Sequence, residues 1–210
     1  MKKKLRKNFK NSSNKWILRQ INDPYSQDAL LKGYRSRSAF KLIELDEKFK
    51  ILSKDTLLLD LGSSPGGWSQ VAAKKIKLGK ILSVDIKQMK KIDNVEFFCG
   101  DFLDLNIQNK IANFFSKKIN VVISDMASNI TGNKSMDSIR TAELCLGAME
   151  FSKKILKNDG SFLSKLFMGA NFKEIENNAK KSFKKVIKYK PISSRKESRE
   201  LYIFCKNIIN

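Results

Sequence analysis

Three acids and one glycine-rich turn hold the first chemistry legible in this chain. The stretch "LLLDLGSSPGGWSQVA" (57–72) is an apolar run that ends in an acid and passes into Gly62, Ser63, Ser64, Pro65, Gly66, Gly67 and Trp68. Glycines let a backbone bend tightly and let a ligand approach it closely. Asp85 follows in "SVDI" and Asp101 in "CGDF", each at the end of another short apolar run. An acid in the first of these places can accept hydrogen bonds from both hydroxyls of a ribose. One in the second could reach an adenine amino group. The turn is not G-x-G-x-x-G, which disfavours a dinucleotide and hence a dehydrogenase, and it lacks the G-K-[ST] of a phosphate loop. A nucleoside cofactor without a pyrophosphate suits the set, and S-adenosyl-L-methionine fits. Taken singly, each acid reads as well as a helix N-cap, Asp101 above all, and Trp68 reads as readily as core packing as a cofactor contact. The three features in order are what point to a site.

Composition narrows the chemistry further. The 210 residues contain no histidine, which removes the commonest general base and the commonest metal ligand. Cys99, Cys145 and Cys205 are far apart and odd in number, so neither a zinc site nor a disulfide framework is expected. They read as buried, reduced thiols of a cytoplasmic protein, and no metal site is predicted. The net charge is +21. Part of that excess reads as compositional drift toward Lys, Asn and Ile. The rest calls for an anionic partner, nucleic acid first and an anionic membrane second. No apolar run approaches the ~20 residues that span a bilayer. The opening "MKKKLRKNFKNSSNKW" is basic without an apolar segment behind it, so it does not read as a secretory signal.

The elements that must position these residues alternate. Apolar runs at 56–62, 80–86, 94–101, 119–127 and 160–167 read as buried parallel strands. Helical patterns separate most of them, the clearest from Ser135 to Leu156, closed by Asn158, Asp159 and Gly160. "FKKVIKYKP" and "RELYIFCKN" add two final strands with a loop between them. Upstream, Ala39, Leu42, Leu45 and Phe49 predict one helix from Ser26 to Phe49, with Glu44 and Lys48 paired at i,i+4. The fold class is therefore α/β, a doubly wound, mostly parallel sheet with one late antiparallel strand. The expected organisation is a flexible basic arm over 1–25 and a single domain over 26–210. The arm, Arg35, Arg37 and the lysines between 180 and 190 are expected to meet phosphates. Phe183 and Tyr189, interleaved with those lysines, are expected to turn their rings to the core.

"DLGSSPGGWSQVA", "SVDI", "GDF", "SDMASN" and "SRELYIF" together resemble the FtsJ/RrmJ methyltransferases. The resemblance runs from about Tyr25 to the C-terminus. It implies a Rossmann-like methyltransferase fold and methyl transfer from S-adenosyl-L-methionine to a ribose 2′-hydroxyl of RNA. It also implies a Lys–Asp–Lys–Glu tetrad. Lys41 in "RSRSAFK", Asp125 in "SDMASN", Lys165 in "SFLSKLF" and Glu200 in "ESRELYIF" occupy its positions. Glu197 competes for the last place, but the family glutamate directly precedes the final apolar strand. Cofactor contacts carry over onto Gly66, Trp68, Asp85, Asp101 and Asp125. Among the tetrad residues Lys165 is unusual even without the family, because it interrupts an apolar strand where that strand meets the crevice. Ser128 stands where the family has a proline, which loosens the loop beside Asp125. The chain has the size of the short members, which act on a uridine of large-subunit ribosomal RNA. The implied substrate is 23S rRNA in the large ribosomal subunit, and the implied state is a cytoplasmic monomer away from membranes. A tRNA or mRNA-cap ribose methyltransferase would share the tetrad. A silent RNA-binding assembly protein would have no reason to keep it.

Overall fold

In the computed structural model, residues 22–127, 133–169 and 171–209 are described. Most of the basic arm and Ser128 lie outside them. Seven short runs form one sheet: β1 (Leu57–Leu61), β2 (Lys80–Asp85), β3 (Glu96–Cys99), β4 (Ile119–Ser124), β5 (Leu156–Phe167), β6 (Phe183–Tyr189) and β7 (Glu200–Ile208). Their order is β3-β2-β1-β4-β5-β7-β6. β1 through β5 pair in parallel, and β7 runs antiparallel between β5 and β6. β1 is buried along its whole length because helices cover both faces, so it carries a continuous apolar run rather than alternation.

The helices are α1 (Pro24–Leu31), α2 (Ser38–Phe49), α3 (Gly67–Lys75), α4 (Leu105–Phe115), α5 (Lys134–Ile155) and α6 (Phe172–Ser182). Strand period divides the core in two. Leu57, Leu59 and Leu61 face the layer built from Ile111 of α4, Met149 of α5 and Ala179 of α6. Leu58 faces the other layer, where Leu42 and Leu45 of α2 meet Trp68 and Val71 of α3. The same parity sends Leu163 of β5 and Tyr202 of β7 to the α2–α3 side.

Several expectations change here. The single helix over Ser26–Phe49 is two helices, because Gly33 takes a φ of +70° between them and the backbone N–H of Arg35 turns away to Gln70 Oε1. Asp23 accepts from the N–H of Tyr25 and Pro24 opens α1, an ordinary helix start that lies inside the segment read as arm. The Glu44–Lys48 pair gives way to other partners: Lys48 lies over the Tyr189 ring, and Glu44 turns to the β6–β7 loop. α5 passes straight into β5 at Leu156, before the asparagine and glycine expected to close it. Cys145 and Cys205 are buried, but Cys99 is exposed because β3 is an edge strand. Phe183 is buried and Tyr189 half-buried, so despite the lysines around them their rings turn inward as expected. Among the described residues, no helix is long and apolar enough to cross a membrane.

Candidate active site

The carboxyl ends of β1, β2, β3 and β4 open onto one cleft of about 350 Å³, a size suited to a small cofactor. Gly62 leaves β1 with a φ of +75°. A Cβ there would strike the Met126 side chain and lie 3.1 Å from the Met126 backbone nitrogen, so the turn closes against the exit of β4 only with glycine. Asp85, at the end of β2, is braced on both oxygens: Oδ2 accepts from the Ser64 N–H at 2.9 Å and Oδ1 from the Lys87 N–H at 2.8 Å. Asp101 is exposed in the cleft wall and accepts from the Leu103 N–H at 3.0 Å. The helix cap that Asp101 could have supplied comes from Asp104, which accepts from the Asn106 N–H. Asp101 is thereby left at the cleft.

Of the five residues expected at the cofactor, Asp85, Asp101 and Asp125 line this cleft, and Gly66 and Trp68 do not. Gly66 caps α3 in a left-handed conformation against Arg35, Met89 and Ile92. Trp68 is 2% exposed. Its indole N–H donates to the Ser38 carbonyl at 2.8 Å, and its ring packs against Tyr202 at 5.7 Å. The tryptophan at the exit of the turn is core packing that ties α3 to α2 and to β7.

The second constellation forms beside Asp125. Lys165 lies on the α2–α3 side of β5 and is 8% exposed. Its Nζ is 3.1 Å from Asp125 Oδ1 and 2.5 Å from the Asp125 carbonyl oxygen. Lys41, from the helix packed on that face, places Nζ 2.6 Å from Glu200 Oε1. Glu200 reaches the same edge because β7 is antiparallel: its first residue pairs with Phe167, the last of β5. The four residues expected to act together are thus brought together as two ion pairs, and Glu197 is not part of them. Burial would raise the Asp125 pKa, but the charges of Lys165 and then Lys41, with hydrogen bonds from Tyr202 and Lys165, hold it below the usual carboxylate value. Asp125 is therefore an anion bonded to Lys165, with the charge of Lys41 nearby.

Two participants were missed. Tyr202 donates to Asp125 Oδ1 at 2.8 Å, and Ser194 donates to Glu200 Oε1 at 2.7 Å. Burial, then the charges of Asp125 and Glu200, push the Tyr202 hydroxyl well above its ordinary range, so it remains a neutral donor. Strand period could have found Tyr202, two residues past Glu200 on the same face. Nothing local marks Ser194. A third buried group, Asp60, lies near the end of β1, one residue before Leu61. It accepts from Ser69 at 2.7 Å, and burial raises its pKa to about 7.

The arginines expected at phosphates are instead structural. Arg35 donates to the carbonyls of Pro65, Lys90 and Lys91, and Arg37 joins Asp23 and the Ser193 carbonyl. A planar guanidinium suits several carbonyls at once. Lys180 and Lys188 both pair with Glu176, whereas Lys181, Lys184 and Lys185 lie exposed.

A mostly parallel sheet of this order with β7 antiparallel, a glycine turn after β1 and acids at the ends of β2 and β3, is the arrangement of a Rossmann-like methyltransferase. The sequence comparison takes this further: the model of the FtsJ-like methyltransferases matches residues 34–208, and the chain belongs to that family. A Pelagibacter ubique protein named ribosomal RNA large subunit methyltransferase E is 50% identical over 92% of this chain and 96% of its own length. A Plasmodium falciparum crystal structure, titled as a ribosomal RNA methyltransferase, superposes with a TM-score of 0.76 at 34% identity, covering 84% of this chain and all of that one. A Streptococcus mutans structure in complex with SAH shares the fold alone, at 15% identity and a TM-score of 0.53 over 79% of this chain and 96% of that one.

Proposed function

We propose that this methyltransferase moves a methyl group from S-adenosyl-L-methionine to a ribose 2′-hydroxyl of large-subunit ribosomal RNA. The observation that carries the reading is the two ion pairs, Lys165–Asp125 and Lys41–Glu200, at the edge of a cofactor-sized cleft. The cleft suits the cofactor. Asp85 is pre-oriented as an acceptor for ribose hydroxyls, Asp101 for the base, and Gly62 keeps the wall free of a side chain. Asp125 stands where the adenosine cleft meets the tetrad.

The cofactor, when bound, supplies a methyl made electrophilic by its sulfonium. A 2′-hydroxyl is a weak nucleophile, and as its oxygen bonds to that carbon its proton must leave. Lys165 orients the hydroxyl, and in its neutral form, with a free lone pair, it takes the proton. Asp125 holds Lys165 through both its carboxylate and its backbone carbonyl. Lys41, held by Glu200, steadies negative charge developing on the oxygen. Alignment of the two reacting groups lowers the barrier by several kcal/mol.

The names of the relatives support ribosomal RNA as the substrate, and the charge of +21 supports RNA in general. Exposed Lys181, Lys184 and Lys185, with the basic residues ahead of Asp23, meet phosphates. An unpaired nucleotide is the target most easily presented. The protein acts as a cytoplasmic monomer. The test is transfer of labelled methyl from S-adenosyl-L-methionine to isolated large ribosomal subunits and to tRNA, followed by identification of the modified nucleoside. A 2′-O-methyluridine in large-subunit RNA is expected. Label in tRNA alone would move the substrate, and no transfer to any RNA would overturn the reading.

A further inference from the structure

Glu44 lies one helical turn beyond Lys41 on α2 and outside the cleft, and its whole carboxylate is occupied by the β6–β7 loop, residues 190–199, and the strand end before it. Oε1 accepts from the Tyr189 hydroxyl at 2.7 Å and from the Ile192 N–H at 2.7 Å. Oε2 accepts from the Ser193 N–H and the Ser193 hydroxyl, both at 3.0 Å. The next residue in the chain, Ser194, donates to Glu200 Oε1, the oxygen that also holds Lys41. The contacts therefore form a closed circuit. It leaves α2 at Glu44, crosses the loop to Ser194, reaches Glu200 and returns to α2 at Lys41.

We propose that Glu44 is a positioning residue for methyl transfer: it seats the β6–β7 loop so that Ser194 aims Glu200, and Glu200 in turn fixes the ammonium of Lys41. The inference rests on the tetrad reading above. Two features argue that the carboxylate is built for this task. Backbone N–H groups from consecutive residues converge on it, which fixes the loop backbone and not merely a side chain. Although burial opposes ionisation, the bonds from Ile192, Ser193 and Tyr189 hold its pKa below the usual value. A second clamp supports the same loop, where Arg37 donates to the Ser193 carbonyl and shares the Asp23 carboxylate with Arg195. That clamp fastens the loop to the start of α2, whereas Glu44 lies directly upstream of Ser194 along the circuit.

The role separates cleanly from cofactor binding, because none of the circuit lines the cleft. It also separates from general stability through coupling. Residues acting through one another show non-additive losses. The experiment measures kcat and KM on large ribosomal subunits, together with the Kd for S-adenosyl-L-methionine and the melting temperature. The variants are Glu44→Ala, Ser194→Ala, Glu200→Ala and the double variant Glu44→Ala/Glu200→Ala. Misplacing a group by about an ångström can cost about 100-fold in rate, so Glu44→Ala should lower kcat by at least about tenfold, with Kd unchanged. Ser194→Ala, which leaves the seat intact and cuts only the link to Glu200, should lower kcat in the same direction. In the double variant the loss should equal that of Glu200→Ala alone. Losses that multiply, or full kcat in Glu44→Ala or Ser194→Ala while Glu200→Ala is impaired, would overturn the role of Glu44 and leave the tetrad standing. A fully active Glu200→Ala would overturn the tetrad reading and this inference with it.

Discussion

Lys165 and Tyr202 face each other across the β5–β7 ladder, and both end on the same oxygen, Asp125 Oδ1, at 3.1 Å and 2.8 Å. The cross-strand pair makes a fixed cradle for one half-buried anion. Removing only the hydroxyl, by Tyr202→Phe, keeps the ring against Trp68 and strips one donor from Asp125. Losing one hydrogen bond to a charged group costs about 1.5–3 kcal/mol. The expected result is a lower melting temperature and a fall in kcat with cofactor affinity unchanged. Unaltered stability and rate would show that Lys165 alone suffices to hold Asp125.

Lys165→Ala removes the group assigned to the hydroxyl and its proton. Groups of this kind contribute about 10²–10⁴-fold. Single-turnover methyl transfer should fall by that much, while titration with S-adenosyl-L-methionine gives nearly the parent Kd. Retained activity would remove Lys165 from its role.

Asp60 makes stability depend on pH in the sense opposite to most acids. Burial raises its pKa from 3.8 to about 7, so the folded state binds the proton more tightly than the unfolded chain. Its contribution is fully present below pH ~4 and is lost as pH rises through about 7, amounting to roughly 4 kcal/mol across that range. Asp60→Asn, which cannot ionise, should flatten this component. Urea denaturation of parent and variant from pH 4 to pH 8 reads it directly. Parallel pH profiles for the two proteins would show that Asp60 stays ionised.

Gly62→Ala should damage the cleft from within. The left-handed φ strains any side chain, and the Met126 backbone lies 3.1 Å from the new Cβ. Strain of this type costs about 1–3 kcal/mol. Calorimetry should show a lower melting temperature together with weaker S-adenosyl-L-methionine binding. A variant that binds like the parent would mean that the turn and β4 can separate without consequence.

If Lys184 and Lys185 meet phosphates, the double variant Lys184→Gln/Lys185→Gln should weaken RNA binding and flatten its salt dependence. Each lost contact removes about 0.7–0.9 from the log–log salt slope. Filter binding of ribosomal RNA over a range of salt concentrations measures both. An unchanged slope would move the RNA surface off the β6 edge.

The sequence by itself determined the parallel sheet, because buried strands need continuous apolar runs and β1, β2 and β4 have them. It also determined the cofactor end of the site. The glycine turn and the acids that follow successive strands are local features, and Asp85 and Asp101 both line the cleft. The tetrad as a set was legible only through the resemblance: Lys165 stands out by interrupting an apolar strand, but Lys41 is one lysine among many in so basic a chain. Tertiary structure decided the rest. Gly33 split one amphipathic pattern into two helices because its backbone, and not any apolar spacing, set the turn. Trp68 went to the core because α2 lies over it and offers the Ser38 carbonyl. Arg35 and Arg37 became clamps because distant carbonyls and a buried carboxylate came within reach of them. Glu44 left its helical neighbour for a loop 148 residues away in the chain. Such pairings depend on which surfaces meet after the sheet has formed, and residue spacing along the chain does not encode them.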